Sequence, residues 1–147
     1  MTEAQIERKA QMTEQMTEQR NRKYIVTGVQ LPPDIKAERP AELDESETLI
    51  TWLDGNVVPA AGSQMVCLWY LTATPDTSYP AHTHDADEII GFFGSDPHDP
   101  HKLGGEIEFW IEDERFILDE SCLMFMPKGV QHGPLVIRRV DSPIFHL

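Results

Sequence analysis

His82 and His84 stand two residues apart in Tyr79-Pro80-Ala81-His82-Thr83-His84, and in an extended chain that spacing projects both imidazoles from one face. Glu88 follows at the head of an apolar run, and a further donor, His132, sits just beyond the turn residues Pro127-Lys128-Gly129. Three imidazoles and one carboxylate form an N3O donor set suited to Zn, Fe, Mn, Ni, Co or Cu. On a metal that prefers six ligands, such a set leaves two positions for water, oxygen or a chelating substrate. The chemistry to expect is that of one divalent metal ion on His82, His84, Glu88 and His132. It would act as a Lewis acid on a ligand oxygen or as a centre that activates oxygen.

The elements that must position these donors are strands. From Tyr24 onward the chain is a series of short apolar segments broken by Pro, Gly, Asp and Ser. Strands are predicted over 24–29, 48–53, 64–73, 88–93, 106–111, 115–118, 122–126, 133–140 and 143–147, with no strong helical period after residue 23. This pattern points to an all-β sandwich or barrel. Residues 31–40 read as a Pro-interrupted connection and 41–47 as an acidic, solvated stretch. In 64–73 both parities are apolar (Met65, Cys67, Trp69 and Leu71 against Val66, Leu68 and Tyr70), which predicts cover on both sides. Ile107, Phe109 and Ile111 share one face of the predicted hairpin, and Glu106, Glu108 and Glu112 the other. If Glu88 faces the metal, Ile90 and Phe92 share its side and line the chamber, joined by Phe109 and Met126. An apolar chamber around one metal suits a small organic ligand with one or two oxygen donors. Trp110 has the parity of the outward glutamates and marks a face for a homodimer.

The two histidine-bearing segments resemble the two motifs of the cupin superfamily. The first motif runs Gly, five residues, His-x-His, three or four residues, Glu, six residues, Gly; the second runs Gly, five residues, Pro-x-Gly, two residues, His, three residues, Asn. His82-Thr83-His84-Asp85-Ala86-Asp87-Glu88 and Pro127-Lys128-Gly129-Val130-Gln131-His132 carry the internal spacings. Asp76 and Ser121 stand where the motifs begin with Gly, Gly94 falls one residue early, and Val136 replaces Asn. The resemblance covers 62–147. It implies a cupin-type jelly-roll β-barrel with all four metal-ligand positions filled. It also implies an enzyme of oxygenase, isomerase or lyase type acting on a small oxygen-containing metabolite. The alternative is a non-catalytic cupin that binds or senses a small molecule or metal. No separate general base is assigned; Tyr79, Lys128, Gln131 and His146 lie nearest the motifs as candidates.

Residues 1–23 stand apart, with the near-repeat Met12-Thr13-Glu14-Gln15 and Met16-Thr17-Glu18-Gln19. With Ile6, Met12 and Met16 as a thin apolar stripe, they read as a helical or disordered extension before a barrel domain at 24–147. The net charge of −13 disfavours nucleic acid and anionic membranes as partners. No apolar run approaches the roughly 18 residues of a membrane span, and the polar N-terminal stretch does not resemble a signal peptide. Cys67 and Cys122 read as small buried thiols in a cytoplasmic protein. Asp85 and Asp87 read as solvated turn residues. His98, His101, Asp96 and Asp99, in the 94–105 loop, read as turn formers rather than a second metal site.

Overall fold

The short apolar segments between turn residues form eight strands. They are β1 (Glu47–Leu53), β2 (Met65–Tyr70), β3 (Glu88–Gly94), β4 (Lys102–Ile111), β5 (Glu114–Glu120), β6 (Cys122–Met126), β7 (His132–Val140) and β8 (Ile144–His146). The structure is a computed structural model, and it describes residues 2–9, 21–38 and 43–147. One antiparallel sheet has the order β1-β2-β8-β3-β6 and the other β5-β4-β7. Between β2 and β3 the chain crosses to the second sheet, where Tyr79 bridges Leu135 and His82 bridges His132. With that segment counted, β2-β8-β3-β6 faces (79–82)-β7-β4-β5, which is the interleaved order of a jelly roll. Phe92, Leu103, Ile107, Ile137 and Ile144 fill the space between the sheets with no exposed surface. Each such side chain contributes about 1.5–3 kcal/mol of burial.

Several elements differ from the sequence expectation. Residues 24–29 are not a strand: Arg22–Tyr24 is a turn of 3-10 helix and the chain then runs irregularly, with Tyr24, Ile25 and Val29 exposed. A β-branched, apolar run forms a strand only where a partner edge receives it, and no ladder reaches these residues. The 31–40 connection contains a helix, Pro33–Glu38, which opens on Pro33, where a missing N–H costs nothing. The acidic stretch is helical over Leu43–Ser46, and Ser46 and Glu47 are buried rather than solvated. Strand β2 is covered fully on one face and partly on the other: Leu68 and Tyr70 are buried inside, Cys67 and Trp69 are half-buried, and Met65 and the following Leu71 are exposed.

Cys67 and Cys122 are free and half-buried. Of the N-terminal extension, residues 3–9 are helical, and 10–20 lie outside the described residues. No helix among the described residues is long and apolar enough to cross a membrane. Trp110 is half-buried and donates to Glu108 Oε1 at 2.9 Å, which ties it to its own sheet. Three exposed apolar residues adjoin on the outer face of β3 and the edge strand β6, where Ile89 pairs with Phe125 beside Leu123.

Candidate metal centre

The two motifs meet across the mouth of the barrel. His82 and His132 exchange backbone hydrogen bonds at 2.9 and 3.0 Å, which brings the 79–82 segment against the start of β7. The turn before β7 is built on Gly129, at φ +82°, a left-handed conformation that glycine adopts without strain. Its N–H donates to the His84 carbonyl at 3.0 Å, so the turn of the second motif is hydrogen-bonded to the first. Asp85 and Asp87 have a role here that sequence reasoning missed. The Asp87 carboxylate accepts from the Lys128 N–H at 2.9 Å, and Asp85 pairs with Lys128 Nζ at 2.6 Å. Both are exposed, as solvated turn residues would be, and Asp87 links the two motif turns through the Lys128 N–H.

Within this frame His82, His84 and His132 each offer a donor atom, and the three lie within 4.8 Å of one another. The His82 Nδ1 is 2.9 Å from the Pro80 carbonyl, and the His132 Nδ1 is 3.1 Å from the Val130 carbonyl. A carbonyl can only accept, so each Nδ1 carries a proton, which in the neutral imidazole leaves Nε2 with a lone pair for a metal. Glu88, opening β3, places Oε2 2.9 Å from His132 Nε2 and 3.3 Å from His84 Nε2. His132 Nε2 and Glu88 Oε2 are both shielded from water and neither makes a hydrogen bond, despite their proximity. With His132 neutral, two buried acceptors would face each other, an arrangement that is favourable only with a metal ion or a proton at that point. The donor set and its orphaned atoms therefore fit a divalent ion.

A cavity of about 350 Å³ opens inward from these residues. Ile90 and Phe109 line it. Phe92 and Met126 do not. Phe92 faces inward but is covered by the His146 ring, stacked on it at 4.7 Å, and His146 takes its place in the wall. Met126, opposite Glu88 in register, is packed into the core.

Of the four candidates for proton transfer, Tyr79 and His146 line the cavity. Lys128 and Gln131 are exposed on the outside. The Tyr79 hydroxyl donates to the buried Glu47 carboxylate. Burial, then the nearby Tyr70 and Glu47, push the Tyr79 phenol far above its ordinary range, so it stays protonated. Burial also lowers the His146 pKa to about 4, partly opposed by the hydrogen bond to the Gly91 carbonyl. Glu47 escaped sequence reasoning because an acidic residue after an acidic helix carries no sign of burial. Leu31 and Ile35 escaped it because they reach the cavity from outside the barrel strands.

Lys102–Gly105 belongs to β4, which shortens the predicted loop to 95–101. Asp96 there accepts from the His98 N–H at 2.8 Å as an ordinary turn residue. Among the described residues, His98 and His101 do not join any three-donor cluster.

No family model and no curated protein sequence matches the chain. Among solved structures it is similar to KdgF from Halomonas sp., with 21% identity, 55% of this chain and 63% of that one covered, and a TM-score of 0.35. It is also similar to the DMSP lyase DddQ from Ruegeria pomeroyi DSS-3, with 24% identity, 74% of this chain and 48% of that one covered, and a TM-score of 0.41. The matches cover less than two thirds of the length of either protein.

Proposed function

We propose that this chain, a cupin by its jelly-roll order and its two histidine motifs, is a metal-dependent enzyme of oxygenase, isomerase or lyase type. In this reading His82, His84, Glu88 and His132 hold one divalent ion, and a small oxygen-containing metabolite occupies the adjoining cavity. The observation that carries it is the convergence of donor atoms from His82, His84 and His132 within 4.8 Å of one another, with Glu88 Oε2 2.9 Å from His132 Nε2. When bound, the metal would supply Lewis-acid polarisation of a ligand oxygen.

The chain's own residues do the rest. The Pro80 and Val130 carbonyls fix the tautomers of His82 and His132. Apolar walls exclude water from the ligand and strengthen every polar contact inside. Tyr79 stays protonated and lines the cavity, and its hydrogen bond to Glu47 holds the ring beside the bound ligand. The protein acts as a homodimer through the exposed Ile89, Leu123 and Phe125 patch.

The test is incubation of the metal-loaded protein with carbonyl and enol metabolites, with and without oxygen. Metal-dependent product formation that is lost in His132→Ala and reduced in Tyr79→Phe is the expected result. Saturable binding without any product would reduce the protein to a binding module.

A further inference from the structure

The walls of the cavity select a ligand class. We propose that it takes a small monocarboxylate or enolate with an apolar tail, and discriminates against sugar acids and other polyols. The head group in this proposal rests on the metal-binding reading above; the tail rests on the chamber alone.

Between the metal ligands at the mouth and the Tyr79–Glu47 pair, most of the wall is made by Leu49, Val66, Leu68, Ile90, Phe109 and Leu135, and Trp52, Tyr70, Ser78 and His146 supply its few other polar atoms. Tyr79 and Glu47 already satisfy each other by a hydrogen bond. Among the described residues no lysine, arginine, asparagine or glutamine lines the cavity. A polyhydroxylated body would exchange most of its bonds to water for contacts with aliphatic carbon, because the wall has fewer polar groups than such a body has hydroxyls, and each hydroxyl left unmet weakens binding. An apolar body loses nothing on entry and gains burial in proportion to its surface. Without a lysine or arginine in the wall, a second anionic group would find no partner away from the metal, so a single anionic head is favoured. The volume of about 350 Å³ sits at the small end of the range for organic ligands. That suits a tail of a few carbons rather than a long lipid.

The experiment is calorimetric titration of the zinc-loaded protein with butanoate, hexanoate, octanoate and gluconate. Gluconate has the head group and chain length of hexanoate but carries hydroxyls along the chain. Each added methylene is expected to tighten binding about fourfold. Hexanoate is expected to bind at least about tenfold more tightly than gluconate. The α-hydroxyl of gluconate assists chelation, so it works against this expectation and makes the comparison stringent; zinc content is measured after each titration. A flat chain-length series, or gluconate binding as tightly as hexanoate, overturns the proposal.

The same series on His132→Ala separates the chamber from the metal. If both readings hold, the gain per methylene persists there while all three monocarboxylates weaken by a common factor. A persisting gain with no common weakening contradicts the metal reading and leaves the chamber intact. A flat series in the wild type contradicts the chamber while zinc binding still stands.

Discussion

Glu108→Gln removes one charge while keeping the shape of the side chain, and the structure says what that charge does. Glu108 Oε1 accepts from Trp110 Nε1 at 2.9 Å, and Oε2 accepts from Arg115 at 2.9 Å and from Arg138 at 2.8 and 3.0 Å. Arg138 also reaches Asp76 at 2.7 Å, so the network ties β4 and β7 to the segment that leads into Tyr79 and His82. The hydrogen bonds from Arg115, Trp110 and Arg138 lower the Glu108 pKa from 4.5 to about 2, against the opposing effect of burial. Taken at face value that shift amounts to about 3 kcal/mol. The Arg115 and Arg138 side chains are 54% and 35% exposed, so water screens both charges. A contribution of about 1–2 kcal/mol is the appropriate size.

The sign follows from the direction of the shift. A carboxylate whose folded pKa is depressed adds stability above its unfolded value of 4.5 and loses it as pH falls through about 2. Urea denaturation of wild type and Glu108→Gln from about pH 7 down to about pH 3 measures the difference. The wild type is expected to be more stable by about 1–2 kcal/mol at neutral pH, with more than half of that gap gone at the acid end. Equal stability at neutral pH, or a gap that does not narrow in acid, refutes the reasoning.

Other outcomes follow from the same geometry. The His146 imidazole, buried against Phe92, should titrate near about 4 by NMR, and its share of stability should fall as pH drops from 6.5 through that value; an ordinary titration near 6.5 contradicts its placement. Gly129→Val meets no neighbour within 4 Å but must adopt φ +82°, which costs about 1–2 kcal/mol. Because that turn precedes His132, zinc affinity measured by competition with a chelator should fall too, and unchanged affinity argues that the turn does not position the ligand. Leu123→Glu, on the exposed β3–β6 face, should shift sedimentation from dimer to monomer; a wild type that sediments as a monomer rules that interface out.

That His82, His84 and His132 come together was legible because their signal is local. A two-residue spacing on an extended chain and a Pro-x-Gly turn both survive reading in one dimension. Glu88 marks the phase of β3, and from it the inward positions of Ile90 and Phe92 followed. What parity cannot report is who stands in front: Phe92 is inside, yet His146 from the last strand covers it. Strand β1 was visible in 48–53, but the burial of Glu47 depends on Tyr79, 32 residues away. Residues 24–29 have strand-forming composition and no strand to pair with. The departures from the motif pattern gained a physical reading in two places. Asp76 forms an ion pair with Arg138, and Ser121 Oγ accepts from the Gly94 N–H at 3.0 Å.

The most direct measurement is the metal content of the purified protein and of its His82→Ala, His84→Ala, Glu88→Ala and His132→Ala variants, by mass spectrometry of the dissolved ions after dialysis. The account predicts one divalent ion per chain in the wild type and a marked loss in each variant, with circular dichroism showing the sheets intact. A wild type that takes up no divalent metal, or variants that retain the wild-type content, would contradict it.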